Sequence, residues 1–299
     1  MIGYEFETVD VFTETPFGGN QLAVFTSAEG LSDAEMQALA AEMNYSETTF
    51  VLPPKDPAHD AHVRIFHRTA EMPFAGHPNV GTAFVLGRRL PGTTDRLVFE
   101  EMAGLVEARL LRVGEEVCGA EIDAPQPLTV FEEFAAEDIA ACAGIDPRAV
   151  LCHHHRPTRI GVGVDFVVAE IADEALSQAA PDLSAFRRVA DRATGPITGR
   201  LSLFLYCRPE AGPLRARMFA PLARTFEDPA TGSAQAALGA FTLSLSGEDQ
   251  LCYEAVQGVE MGRPSRLRVR AERRGSGIHA SIGGTCMPMF RGSYSPQAR

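Results

Sequence analysis

Short apolar runs dominate the chain, and few of them are long enough for a helix. Residues 4–12 and 22–26 alternate or run apolar over strand length, and the turn Pro16-Phe17-Gly18-Gly19-Asn20 joins them. The period then changes. Ser32 with Glu35 three residues on forms a capping box, and Leu31 is placed to pack on Met36 as a hydrophobic staple. Met36, Leu39, Ala40 and Met43 share one helical face, so a helix is expected to end near Asn44. Strands are expected at 46–52, 63–66, 97–100, 105–111, 119–122, 166–171, 202–206, 216–219, 265–270 and 278–282, with a second amphipathic helix around 134–143.

Two segments break this pattern. Pro73-Phe74-Ala75-Gly76-His77-Pro78 and Glu227-Asp228-Pro229-Ala230-Thr231-Gly232-Ser233-Ala234 are turns that open almost wholly apolar stretches, Val80 to Leu86 and Ala236 to Phe241. A helix with no polar face is normally buried on every side. Free N–H groups where such a helix begins make an anion site. A shift of 156 positions lays Pro73 on Pro229, Gly76 on Gly232, His77 on Ser233 and Ala83 on Gly239; only two of these pairs are identities. The pattern suits a duplicated unit, and equally two unrelated core helices with glycine starts.

Many short strands and one buried helix per half predict an α+β chain of two pseudo-symmetric lobes. Each lobe would be a sheet rolled around its central helix, with the active site between the lobes. The boundary is expected near Pro125-Gln126-Pro127, giving lobes at 1–124 and 125–290 and a polar tail, 291–299, that frays.

At 299 residues the chain has room for two domains of about 150 residues each. A net charge of −12 argues against nonspecific nucleic-acid binding and against an anionic membrane surface. The six cysteines are scattered without a C-x-x-C pair, so neither a disulfide framework nor a zinc site is expected. The start shows no signal peptide and no run has transmembrane length, so a cytoplasmic protein is expected. His153-His154-His155 reads as a surface loop rather than a metal site, because consecutive residues seldom point at one ion. Gly161-Val162-Gly163 lacks the third glycine of a dinucleotide fingerprint, and Arg263 has a structural place before a strand.

Several residues suggest proton chemistry on a small acid. Glu47, at a strand start facing an apolar cleft, would have its pKa raised by desolvation and could act as general acid and base. His77, between Gly76 and Pro78, suits an N-cap position facing a ligand. Asp228 could pair with a substrate ammonium or orient His77, and Ser233 with the N–H groups of Gly232 and Gly76 could hold a carboxylate. Bland roles fit the same residues: a solvated carboxylate for Glu47, an Asx turn for Asp228, an N-cap for Ser233.

These motifs resemble the phenazine-biosynthesis isomerase family (PhzF-like), which shares the diaminopimelate-epimerase fold. The resemblance runs through Val9-Asp10-Val11-Phe12, Pro16 to Asn20, Ser46-Glu47-Thr48, Pro73 to Pro78, Glu227 to Ala234, Gln257-Gly258 and Met261 to Ser265. It implies that Glu47, His77, Asp228 and Ser233 are the catalytic groups, with Gly76, Gly232 and Asn20 also at the substrate. It further implies a cofactor-independent isomerase of a small carboxylate metabolite, with no metal at the site, acting as a homodimer. The family's named reaction is isomerisation of trans-2,3-dihydro-3-hydroxyanthranilate. Gln21, Asn79-Val80 and Thr225-Phe226 depart from the family pattern. Related epimerases use two cysteines; the corresponding positions are Ala75 and Thr231, which excludes a two-thiol racemisation. Epimerisation by Glu47 and His77, or small-acid binding without turnover, remain the alternatives.

Overall fold

The computed structural model describes residues 3–193, 201–275 and 277–296. In it the chain divides into one unit of residues 1–125 with 281–299 and a second of residues 126–280. The first holds strands β1 (Tyr4–Val11), β2 (Asn20–Phe25), β3 (Glu47–Leu52), β4 (Ala61–His67), β5 (Glu71–Met72), β6 (Arg96–Glu101), β7 (Gly104–Val113) and β8 (Glu116–Asp123). Helices α1 (Asp33–Met43) and α2 (Gly76–Gly87) lie among them. The second holds β9 (Thr129–Glu133), β10 (Thr158–Gly161), β11 (Asp165–Glu170), β12 (Leu203–Cys207), β13 (Leu214–Ala220), β14 (Thr225–Asp228), β15 (Gln250–Gln257) and β16 (Ser265–Arg274). Its helices are α3 (Ala136–Ala143), α4 (Asp173–Leu176), α5 (Leu183–Arg192) and α6 (Gly232–Ser244). A final strand, β17 (Gly277–Tyr294), begins in the second unit and ends in the first.

The first unit is a closed ring. Pairing runs β1–β2–β3–β4–β6–β7–β8–β17 and returns to β1, parallel at β2–β3 and β4–β6 and antiparallel elsewhere. Closure removes the exposed edges that an open sheet would present. Inside it sits α2, nearly every residue of which is buried. Glycine sets how closely the helix approaches the wall. A Cβ at Gly81 would lie 2.5 Å from Leu22 Cδ2 and 2.8 Å from Val11 Cγ2.

Covering by helices on both sides explains why β2 reads as an unbroken apolar run. Leu22 faces α2, while Phe25 faces outward into a cluster with Phe50, Phe66, Leu31 just before α1, and the α1 residues Met36 and Ala40. Phe25 stacks on Phe50 at 4.9 Å and Phe50 meets Phe66 edge-on at 5.4 Å, pairs each worth about 0.5–1.5 kcal/mol beyond their buried area. The expected capping box on α1 is present, and Asn44 ends the helix in the left-handed region.

In the second unit the pairing order is β9–β10–β11–β12–β13–β15–β16, with β14 against β13. α6 packs on β10, β11, β15 and β16, and a Cβ at Gly239 would lie 2.6 Å from Val269 Cγ1. α3, α4 and α5 build a separate apolar cluster around Ile139, Leu176 and Phe186 against β11 and β12. α5 was not anticipated, although its signal is local: Asp182 caps it, and Phe186, Val189 and Ala190 make one buried stripe. β9, β10, β14 and β15 were likewise unanticipated.

Residues 281–290, expected in the second lobe, lie in the first unit instead, because β17 pairs there with β8 and β1. The tail expected to fray is in part strand: Arg291 to Tyr294 pair with Glu7 to Tyr4. Residues 297–299 of that tail lie outside the described residues.

Candidate active site

The first unit gathers Asn20, Glu47 and His77. Asn20 opens β2 and Glu47 opens β3, strands that run parallel, so both side chains start from the same end of the ring. His77 is the second residue of α2; the N-cap is Ala75, so His77 does not cap the helix as the sequence suggested. His77 Nε2 lies 3.4 Å from Glu47 Oε2, and the Asn20 amide nitrogen lies 3.2 Å from His77 Nδ1. Ser46 Oγ donates to Asn20 Oδ1 at 3.3 Å. With Oδ1 engaged, the Asn20 amide nitrogen faces Nδ1 of the ring. Asn20 thus acts on the imidazole, a positioning role that its motif did not reveal.

The Glu47–His77 spacing is that of an ion pair, but burial decides otherwise. His77 is 5% exposed, and desolvation takes its pKa down to about 3, only partly opposed by a backbone hydrogen bond at Gln21. The Glu47 carboxyl group thus stands beside a neutral imidazole. Nε2 is buried without a hydrogen-bond partner, a state that costs about 1–3 kcal/mol and that a ligand acceptor would relieve.

The start of α2 is open in a second sense. Neither α2 nor α6 has a side-chain cap bond to its first turn or an acidic residue within it. Each of the other described α-helices has at least one of these, as in the capping box of α1, the Asp182 cap of α5 and the acidic first turns of α3 and α4. Backbone N–H groups at Gly76 and Gly232 therefore retain the partial positive charge of a helix start.

The second unit organises Asp228 differently. Asp228 is buried at the end of β14, and its Oδ2 accepts from Thr231 Oγ1 at 2.6 Å. Gln257 braces the turn: its Nε2 donates to Asp228 O at 2.7 Å and to Thr231 Oγ1 at 2.9 Å, while its Oε1 accepts from Thr231 N at 3.1 Å. The next residue, Gly258, has φ +76°, and a Cβ there would lie 2.6 Å from Pro229 O. Gln257-Gly258 was visible as a motif, but its service to Asp228 depends on a contact 29 residues away. Thr231, not Ser233, is the N-cap of α6; Ser233 is its second residue. Ala75 and Thr231, Gly76 and Gly232, His77 and Ser233 thus hold equivalent helix positions.

Behind α2 lies a group that the sequence did not mark. Glu101 ends β6, and both its carboxyl oxygens are buried. Burial pushes its pKa up to about 8, with the Asn79 side chain acting in the other direction. Asn79 is fully buried and donates to Ala75 O at 3.1 Å, so this departure from the family pattern secures the helix start.

Comparison with solved structures supplies the class. A phenazine biosynthesis protein of the PhzF family from Bacillus anthracis matches with a TM-score of 0.86 at 22% identity, covering 99% of this chain and 100% of that one. A hydroxyproline epimerase from Agrobacterium vitis matches at 0.64 and 13% identity, covering 97% and 92%. The fold is the α+β epimerase type. In sequence, the model for phenazine biosynthesis-like proteins matches residues 9–292. An uncharacterized isomerase of Mesorhizobium japonicum is 37% identical over 95% of this chain and 96% of its own. Trans-2,3-dihydro-3-hydroxyanthranilate isomerase of Pseudomonas aeruginosa is 35% identical over 93% and 94%. The chain belongs to the phenazine biosynthesis-like family, and it is an isomerase. Among the described residues, no helix is long and apolar enough to cross a membrane.

Proposed function

We propose that this protein is a cofactor-independent isomerase that moves a proton within a small carboxylate metabolite, with Glu47 as the only acid and base. The substrate class follows the relatives named for trans-2,3-dihydro-3-hydroxyanthranilate. The observation that carries the reading is the Glu47 carboxylate beside the unpartnered Nε2 of a neutral His77, at a helix start with no cap. In the proposed step Glu47 takes a proton from one carbon, the electron pair of that C–H bond shifts the neighbouring double bond, and Glu47, its acid proton exchanging in part with solvent, delivers a proton to a second carbon. His77 Nε2–H donates to a polar substituent of the substrate and stays neutral throughout. In the same reading Asp228 orients a polar substituent of the substrate, and Ser233 with the amides of Gly76 and Gly232 holds its carboxylate. The same reading makes the protein a cytoplasmic homodimer.

Turnover of trans-2,3-dihydro-3-hydroxyanthranilate in D2O, followed by mass spectrometry, tests it. Wild type is expected to incorporate deuterium, while Glu47→Gln loses about 10²–10⁴-fold in rate with KM little changed. Equal incorporation by both proteins removes Glu47 from the mechanism. Binding without turnover by wild type leaves a small-acid binding protein.

A further inference from the structure

We propose that His153, His154 and Glu170 form a binding site for one divalent ion of the zinc class, on the second unit and apart from the residues assigned to isomerisation. In an extended chain, consecutive side chains point to opposite faces, and the histidine run was accordingly expected to be an idle loop. Residues 153 and 154 instead form a bend that brings their rings to a centroid distance of 4.0 Å. His154 Nδ1 lies 2.8 Å from Glu170 Oε2, and one donor atom from each of the three residues lies within 4.8 Å of the others.

The frame beneath them is built. Glu170 is the buried last residue of β11. The loop is tied to it by the Leu151 N–H, which donates to Glu170 O at 2.8 Å, and by a bridge between Val150 and Ile171. Tyr206 OH donates to Glu170 Oε2 at 3.5 Å and is itself 2.6 Å from His155 Nε2. Arg208 Nε stands 3.8 Å from the other oxygen, Oε1, which leaves Oε2 on the histidine side. Such outer contacts orient a ligating carboxylate.

Two imidazoles and one carboxylate suit zinc, cobalt or nickel and disfavour magnesium and calcium, which demand oxygen donors. Donor atoms of a tetrahedral zinc at bond lengths of about 2.0 Å stand about 3.3 Å apart. An ion replacing the proton between His154 and Glu170 would therefore open that contact by about 0.5 Å and draw together donors that stand up to 4.8 Å apart by up to about 1.5 Å. Both histidines are exposed and free to turn that far. Solvent would complete the coordination, and the ion would clip the loop to β11.

The test uses full-length protein without a histidine tag, stripped with a chelator and dialysed against Zn2+, with Co2+ as the spectroscopic probe. One equivalent of Zn2+ is expected, together with visible Co2+ bands of a four-coordinate site. His153→Ala should weaken Zn2+ at least tenfold, the double variant His153→Ala/His154→Ala should abolish the site, and millimolar Mg2+ should not compete. Circular dichroism checks that these surface variants stay folded. Cys152→Ser, altering the exposed neighbouring thiol, should bind as wild type does. Absence of stoichiometric binding, binding that survives the double variant, or loss of binding in Cys152→Ser each overturns the proposal.

Discussion

Replacing Glu101 by Gln should make the protein more stable above pH 8 and leave it nearly unchanged at pH 5. Unfolded, this carboxyl titrates at its ordinary value of 4.5; folded, it does so at about 8, because burial desolvates the charged form more than the Asn79 side chain favours it. Between those values the folded state holds a proton that the unfolded chain has released. Stability therefore falls as pH rises through this window and levels off above it. A change from 4.5 to about 8 corresponds to a ceiling of about 5 kcal/mol between the two protonation states. Local relaxation raises the effective dielectric constant at such sites, so about 2–3 kcal/mol is the expected loss. Glutamine has nearly the shape of the protonated acid and cannot ionise, so it removes the pH-dependent part alone. Urea unfolding of both proteins, measured at half-unit steps from pH 5 to 9, reads the difference directly. Subtraction cancels the histidines that titrate nearby, including His62 and His155, whose pKa values burial lowers. Two parallel pH profiles would refute the assignment of a neutral, buried acid behind α2.

His77 has the opposite sign. Its pKa falls from 6.5 unfolded to about 3 folded, so stability rises with pH from 3 to 6.5 and is lost as pH drops through that range; His77→Gln should flatten the acid limb of the unfolding profile. Gln257→Ala removes three buried hydrogen bonds around Asp228 and Thr231 and should cost about 2–4 kcal/mol in denaturant unfolding, with a fall in kcat. Gly81→Ala puts a methyl group 2.5 Å from Leu22 Cδ2 and should lower stability by about 1–3 kcal/mol, read as a reduced unfolding midpoint.

Features that a few neighbouring residues decide were legible in advance. The capping box at Ser32, the helix end near Asn44 and the two apolar helices opened by the turns at Gly76 and Gly232 depend on local backbone chemistry, and they stand where the pattern put them; that neither of those two starts carries a side-chain cap was not foreseen. Most strands were found, but their partners were not. Alternation reports that a strand has two faces and is silent on which distant strand completes its ladder. For that reason the crossing of β17 into the first unit went unread. The shift of 156 residues was weak as a sequence match, with two identities, yet it holds in the helix register on both sides, because backbone position survives where side chains have changed.

At the candidate site the division is the same. The sequence by itself determined which residues are available for proton chemistry, since side-chain type sets what can carry a proton, and it determined the two helix starts beside them. Only the tertiary structure decided that His77 is neutral, that Asn20 holds its ring, that Gln257 secures Asp228 and that the carboxyl oxygens of Glu101 are buried. Burial and hydrogen-bond partnership are set by residues far away in the chain, and protonation state follows from them rather than from residue type.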